Sequence, residues 1–194
     1  MEEDIVIDEM SGNLLETLRD MNYELHAQGL YMPLLDGFQK LESDDPQVLL
    51  LAEKDGCIEQ VTSDGYCEEG TFDKRIEAVI KSTKDFMKEC GCEDIDNSFR
   101  FYKDYNNEVF NYKVYVCDMI IPIKGANLIT RQFIAYFVEP VMNDFYQITL
   151  SSAPVNMPPE EIILGKIDLE NDKVTKELNG LMDKILNDFE YHKD

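Results

Sequence analysis

The sequence predicts an α+β fold in which an antiparallel β-sheet of about six strands is covered by three amphipathic helices, an α/β sandwich. Residues 99–151 alternate aromatic and branched side chains with polar ones, as strands of a half-buried sheet do. This stretch carries five acidic and five basic residues, so the remainder of the chain holds the whole net charge of -22. The partition of charge indicates a buried, paired sheet beneath a strongly acidic cover.

The chain is 194 residues long, and 44% of its residues are hydrophobic. This composition provides enough apolar surface for the chain to fold without a partner. Because no Gly- or Ser-rich linker interrupts the sequence, we predict a single α+β domain over residues 1–194. Residues 1–10 hold five acids and no base, and they are expected to form a loosely ordered acidic leader.

Three segments place apolar residues at helical spacing. The first begins at Ser11, a favourable N-cap, and ends at Gly29. The second is capped by Thr71 or Asp73, and the third follows Asp172. The apolar stripes are Leu14, Leu18, Met21 and Leu25 in the first, Phe72, Ile76, Val79, Ile80, Thr83, Phe86 and Met87 in the second, and Val174, Leu178, Leu181, Met182, Ile185 and Phe189 in the third. Each helix is therefore expected to pack one face on the sheet.

Extended segments account for the other elements. Residues 48–53 and 57–62 flank the Lys-Asp-Gly sequence at 54–56, a three-residue connection typical of a hairpin, and Ser-Asp-Gly at 63–65 marks the next turn. Four further strands are predicted at residues 99–105, 109–121, 128–138 and 145–151. The short connections between these four strands require antiparallel neighbours. The third of them is apolar on both faces in its second half, so it is expected to lie centrally with both faces covered.

Charge and hydropathy disfavour two classes of partner. Eighteen basic residues against forty acidic ones make phosphate contacts with nucleic acids and binding to anionic membranes improbable. The apolar runs at 48–52 and 114–123 are too short to cross a bilayer. The amino terminus lacks the positive region and apolar core of a secretory signal, so we expect the protein to be cytoplasmic.

Nucleophilic catalysis needs a base, and the chain has two histidines. His192 is the third residue from the end of the sequence, and His26 lies where the first helix closes, a position that favours a cationic side chain. The structural interpretation of His26 is favoured. The alternative is a Cys-His dyad formed by His26 with Cys57 or Cys117, which no spacing in the sequence supports.

Five cysteines are an odd number in a chain without an export signal, so they are expected to be reduced thiols. Cys90 and Cys92 form the one cluster, separated by a single glycine, whereas zinc knuckles and redox turns usually place two residues between the thiols. An incidental structural role is favoured for this pair, and a redox-sensitive pair is the alternative. Cys57 and Cys67 would add metal ligands only if the fold brought them to this cluster.

The acidic runs at residues 93–97 and 168–172 hint at divalent cation binding, but neither has the central glycine of a calcium loop. Solvated loop charge is the favoured interpretation. The scattered turn glycines do not cluster as a phosphate-binding loop does. We therefore predict no metal and no cofactor, and the sequence identifies no catalytic residue.

The order of elements around residues 37–62 and 99–151 resembles the PsbP-like and DcrB-like group of small α/β sandwich proteins. In that group an early hairpin and a mid-chain helix precede a curved antiparallel sheet backed by a terminal helix. The resemblance covers most of the chain but matches no functional motif, so it carries over no site residue. It implies a binding or assembly factor rather than an enzyme.

The sequence favours a cytoplasmic, non-catalytic interaction factor, in character similar to small acidic bacterial secretion chaperones, which are dimeric α/β proteins. Its expected partner is a protein, with a basic surface that would complement the acidic helical faces or with a peptide that docks on the sheet, and a homodimer fits the same character. The alternative is a small hydrolase or transferase whose carboxylate or cysteine centre is hidden by sequence separation.

Overall fold

The structure is a computed structural model, and it describes residues 30–31, 34–89, 98–123, 126–140, 142–157 and 173–191. The strands are β1 (Leu30–Tyr31), β2 (Gln39–Lys40), β3 (Val48–Lys54), β4 (Cys57–Tyr66), β5 (Phe99–Asn106), β6 (Asn111–Ile123), β7 (Ala126–Val138), β8 (Asp144–Ser151), β9 (Val155–Met157) and β10 (Glu190–Tyr191). The helices are α1 (Phe72–Glu89) and α2 (Lys173–Asp188).

The main sheet is antiparallel throughout, and seven strands follow one another across it in the order β2-β3-β4-β8-β7-β6-β5. The short strand β9 pairs with the beginning of β7, beside this path. Strands β1 and β10 form a separate two-stranded ladder. The predicted antiparallel sheet is thus confirmed, but among the described residues it has seven strands along its path and not six. The additional strand is β2, whose two residues are too few to produce an alternating pattern in the sequence.

Both faces of the sheet are covered in the central strands. On one face, Val114 and Val116 of β6 and Phe133 and Phe137 of β7 pack in a core with side chains of α2. On the other face, alternate residues of the same strands pack with α1. Because successive side chains of a strand point to opposite faces, the doubly apolar half of β7 requires this arrangement. The predicted central position of that strand is confirmed.

Helix α1 lies where the second amphipathic segment was predicted. The carbonyl of Thr71 accepts a hydrogen bond from the Arg75 amide at 2.9 Å, which places Thr71 at the N-cap. Ile76 and Met87 are buried against the sheet. The predicted inward position of Phe86 is wrong, because 62% of its surface is exposed. Its neighbour Met87 fills the inward position of that turn instead.

Helix α2 begins close to its predicted start and buries Leu178, Met182 and Ile185 as the spacing indicated. The predicted inward position of Val174 is wrong, since this side chain is exposed. Thr175 and Leu186 are buried in addition. The buried stripe of α2 thus contains Thr175 where hydrophobicity alone would select Val174. Thr175 is buried because it accepts a hydrogen bond from the buried Arg131 guanidinium at 2.9 Å.

The hairpin of β3 and β4 is tighter than predicted. Lys54 pairs with Cys57, so the connection consists of two residues, Asp55 and Gly56, both with positive φ. These angles match a type I′ turn, whose twist suits the strands that it joins. The turn predicted at 63–65 is wrong: β4 continues to Tyr66 and absorbs these residues as an irregularity in its pairing with β8.

The described residues contain two helices and not the predicted three. The first predicted helix, at residues 11–29, and the acidic leader at residues 1–10 lie outside the described residues. Within the described ranges, neither helix combines the length and apolarity needed to cross a membrane.

A buried charged group connects the sheet to α2. Asp118 of β6 accepts hydrogen bonds from Arg131 of β7 at 2.7 Å and from Arg100 of β5 at 2.6 Å. Arg131 in turn donates to Thr175 of α2. Burying these charges costs solvation energy, which their short hydrogen bonds offset. The main effect of this ion-pair cluster is therefore to fix the position of α2 on the sheet, and its net contribution to stability is small.

Candidate functional site

A cleft of about 980 Å³ lies between helix α2, the turn of the β3–β4 hairpin and residues 34–38, the segment that precedes β2. Its floor is apolar, with Leu35 and Phe38 from that segment, Cys57 from β4, and Leu178 and Ile185 from α2. Clefts of this size with apolar floors and a few polar groups are typical of binding sites in proteins. We therefore take this cleft as the candidate functional site.

Charged side chains form the rim of the cleft. Among the described residues that line it, four are acidic and two are basic: Asp36, Asp55, Glu177 and Asp188, with Lys54 and Lys184. Lys54 donates a hydrogen bond through Nζ to the carbonyl oxygen of Asp36 at 3.1 Å. This contact joins the hairpin turn to the segment before β2, so both parts of that wall hold a defined position.

A glycine makes the contact in this wall possible. Gly37 has φ of +82°, and a Cβ at this position would lie 2.8 Å from the Lys54 Nζ. A side chain would therefore be strained by the backbone and would also displace the lysine.

A buried carboxyl lies directly behind the floor. Glu59 of β4 has no exposed surface, and its Oε2 accepts a hydrogen bond of 3.4 Å from the amide of Leu35, while its Oε1 has no hydrogen-bond partner. Burial raises the pKa of Glu59 to about 7, and the Leu35 amide lowers it only in part. The carboxyl is consequently poised to change its protonation state near neutral pH.

The thiol in the cleft wall is held in its protonated form. Burial, with smaller contributions from Glu59 and Glu53, raises the pKa of Cys57 to about 11. Burial likewise raises the pKa of Cys117, with help from Asp118, to about 12. Because the thiolate is the reactive form of cysteine, neither residue is activated as a nucleophile.

The structure separates the cysteines considered above. Cys57 packs against the core on the α2 face of the sheet, whereas Cys67 and Cys117 lie in the core on the α1 face. All three are free thiols. The other candidates lie outside the described residues: His26, His192, Cys90, Cys92 and the acidic runs at 93–97 and 168–172. Among the residues that the structure describes, no three histidine, cysteine or acidic side chains converge as metal ligands would.

Sequence reasoning missed Glu59, although a signal was present. Cys57, Glu59 and Val61 occupy alternate positions of one strand, and Val61 is an inward residue. The alternation therefore places a glutamate in an apolar row, which is rare without a purpose. In the same way, Asp118 continues the inward row of Val114 and Val116 on β6.

Comparison with known proteins supports the fold alone. No protein-family model matches the sequence, and no curated protein matches it. The solution structure of cyanobacterial PsbP (CyanoP) from Synechocystis sp. PCC 6803 is similar, with a TM-score of 0.50 and 9% sequence identity. The match covers 88% of this chain and 91% of that chain. The fold-level resemblance to PsbP-like proteins is thereby confirmed, and at this identity it carries no site residue or activity.

Proposed function

We propose that this protein is a cytoplasmic, non-catalytic interaction or assembly factor that binds an apolar segment of a protein partner in the cleft beside α2. The observation that carries the proposal is the composition of the cleft, an apolar floor within a rim of four carboxylates and two amines. Apolar burial supplies affinity in such a site, and charged rims supply orientation and selectivity. The partner is accordingly basic, as the net charge of -22 also favours.

The chemistry of the cleft agrees with binding rather than with covalent catalysis. The thiol in its wall, Cys57, is held protonated by burial, because its pKa is raised to about 11. The PsbP-like fold points the same way by analogy, since the resemblance implies binding and assembly factors.

One observation favours the alternative of a small hydrolase with a carboxylate centre. The pKa of Glu59 is raised to about 7, a value suited to a general acid or base. However, Glu59 is fully buried and is not among the described residues that line the cleft, whereas Leu35 and Cys57 beside it are. A general base must reach its substrate, so binding is the function that we propose first.

Capture of partners from a lysate of the source cells tests the proposal, with the full chain as bait at low and at high salt. Leu181 is half-buried in the cleft wall, and Leu181→Glu places a charge on the apolar surface. Val109→Glu is the matched control, since Val109 is an exposed apolar residue outside the cleft lining. Circular dichroism confirms that both variants are folded.

We expect the wild type and Val109→Glu to retain a salt-sensitive partner that Leu181→Glu loses. Absence of any salt-sensitive partner, or equal capture by all three proteins, would contradict the proposed function.

A further inference from the structure

Helix α2 lines the cleft along its whole length. The side chains that face the cleft recur every three or four residues, from Val174 at one end to Asp188 at the other. At a rise of 1.5 Å per residue, this face extends about 21 Å. The cleft is therefore a groove that runs parallel to the helix rather than a round pocket.

The length of the groove limits what can enter it. About 14 residues of helix match the length of the groove.

The walls of the groove also indicate the backbone conformation of its occupant. Side chains of α2 and of the segment before β2 supply most of the lining, and the hairpin contributes its turn rather than an open strand edge. An extended peptide would leave its backbone amides without partners in such a groove. A helix satisfies its own backbone hydrogen bonds and offers apolar side chains at matching intervals.

The charges on the rim specify the flanks of the occupant. Asp36 and Asp55 border one side together with Lys54, and Glu177 and Asp188 border the other together with Lys184. Exposed Lys173 lies 3.5 Å from Glu177 and offsets part of its charge. The described lining nevertheless has one more carboxylate than amine on each side of the apolar floor, so a complementary helix carries basic residues on both flanks of its apolar row.

We propose that the groove accepts one face of an amphipathic helix from a partner protein, with an apolar row on the floor and lysine or arginine on both flanks. The inference rests on the proposed function and goes further by naming the class of partner segment. A second copy of this chain is a different occupant, and its strongly acidic composition makes it a poor complement to an acidic rim.

Two synthetic peptides of about 14 residues test the inference with the full chain. Both carry the same row of leucines at helical spacing, and their flanking positions are lysine in one and glutamate in the other. Fluorescence anisotropy of labelled peptides measures binding at about 50 mM and about 300 mM salt. We expect the basic peptide to bind about tenfold or more tightly than the acidic one, and to weaken as salt rises.

A pair of protein variants locates the charge effect. Asp55→Asn with Asp188→Asn removes one carboxylate from each side, and an Asn-Gly pair keeps the type I′ turn favourable. Glu77→Gln with Asp85→Asn is the control, because it changes the net charge equally on exposed positions of α1, across the sheet. We expect the groove variant to bind the basic peptide about fivefold more weakly, and the control to bind as the wild type does.

Three outcomes would overturn the inference: equal affinity for the two peptides, equal weakening in both variants, or concentration-dependent dimers that exclude the peptides. Equal, measurable binding of both peptides would contradict the basic partner but leave the apolar part of the proposed function standing, since the groove would still bind apolar segments. Failure of the proposed function is recognised separately, by unchanged partner capture in Leu181→Glu.

Discussion

Replacing Glu59 with glutamine should remove a pH dependence from the stability of this protein. The folded carboxyl keeps its proton up to about pH 7, whereas the same group in the unfolded chain ionises near its ordinary pKa of 4.5. Between these two values the folded protein binds more protons than the unfolded chain. The free energy of unfolding therefore falls as the pH rises through this window.

The gap between the two pKa values corresponds to a contribution of about 3 kcal/mol to the free energy of unfolding. This contribution is present in full below pH 4.5 and is lost above pH 7. From about pH 5 to about pH 8, the free energy of unfolding of the wild type should fall by about 2.5 kcal/mol relative to that of Glu59→Gln. The amide cannot ionise, although its added donors lower the baseline stability of the variant. The informative quantity is thus the change with pH in the difference between the two proteins.

Urea denaturation followed by circular dichroism measures this quantity, since the chain has no tryptophan to report by fluorescence. Glu68→Gln serves as the control, because Glu68 is exposed and its replacement changes the net charge equally. The control should follow the wild type across the pH range. A constant difference between wild type and Glu59→Gln from about pH 5 to about pH 8 would refute the buried, protonated state of this carboxyl.

Three further substitutions or measurements probe other parts of the structure. Asp118→Asn leaves Arg131 buried without its ion pair, so we expect a loss of about 3 to 5 kcal/mol in urea denaturation; a loss below about 1 kcal/mol would contradict the buried pairing. Gly56→Ala and Gly65→Ala both place a side chain at positive φ, but only at Gly56 does the new Cβ meet a neighbouring alanine side chain, at 3.2 Å. Each change should cost about 1 kcal/mol through backbone strain, and Gly56→Ala should cost more; the reverse order would count against the close approach. Because burial raises the pKa of Cys57 to about 11, alkylation by iodoacetamide at about pH 8 should be roughly 100-fold slower in the native protein than in urea, as measured by mass spectrometry. Equal rates would show an open, ionisable thiol.

Most of the sheet could be predicted from the sequence because its strands alternate strictly. The two-sided apolar pattern in the second half of β7, at residues 133–138, indicated a central strand, and the structure covers both its faces. The sequence pattern failed at residues 63–65, where the backbone pairing of β4 decides the structure. Gly65 reads as a turn residue, but the strand tolerates it as an irregularity because its neighbours pair again with β8 at Tyr66.

Helix orientation was predicted only approximately. Hydrophobicity assigned Phe86 and Val174 to the core, whereas the structure exposes both. The helices are positioned by contacts that a single sequence does not reveal, such as the hydrogen bond from Arg131 to Thr175. At the edge of an apolar stripe, a polar residue that has a buried hydrogen-bond partner can take the inward position in place of an apolar residue.

The candidate site could not be assembled from the sequence. Its parts come from residues 34–38, from the hairpin turn near Asp55 and from α2 at residues 174–188, and α2 lies more than a hundred positions from the other two. No local motif links these segments, because a binding groove needs shape and charge but no fixed spacing. The inward position of Glu59 was the one signal available, since it follows from the alternation of its strand.

The central claim, that this protein binds partner segments in the groove beside α2, is tested most directly by nuclear magnetic resonance of the isotope-labelled full chain. Titration with the basic amphipathic peptide should shift backbone amide resonances in residues 34–38, in the hairpin turn at 54–57 and along α2. Resonances of α1, on the opposite face of the sheet, should stay in place. Shifts concentrated on α1, or no shifts at saturating peptide, would contradict the account.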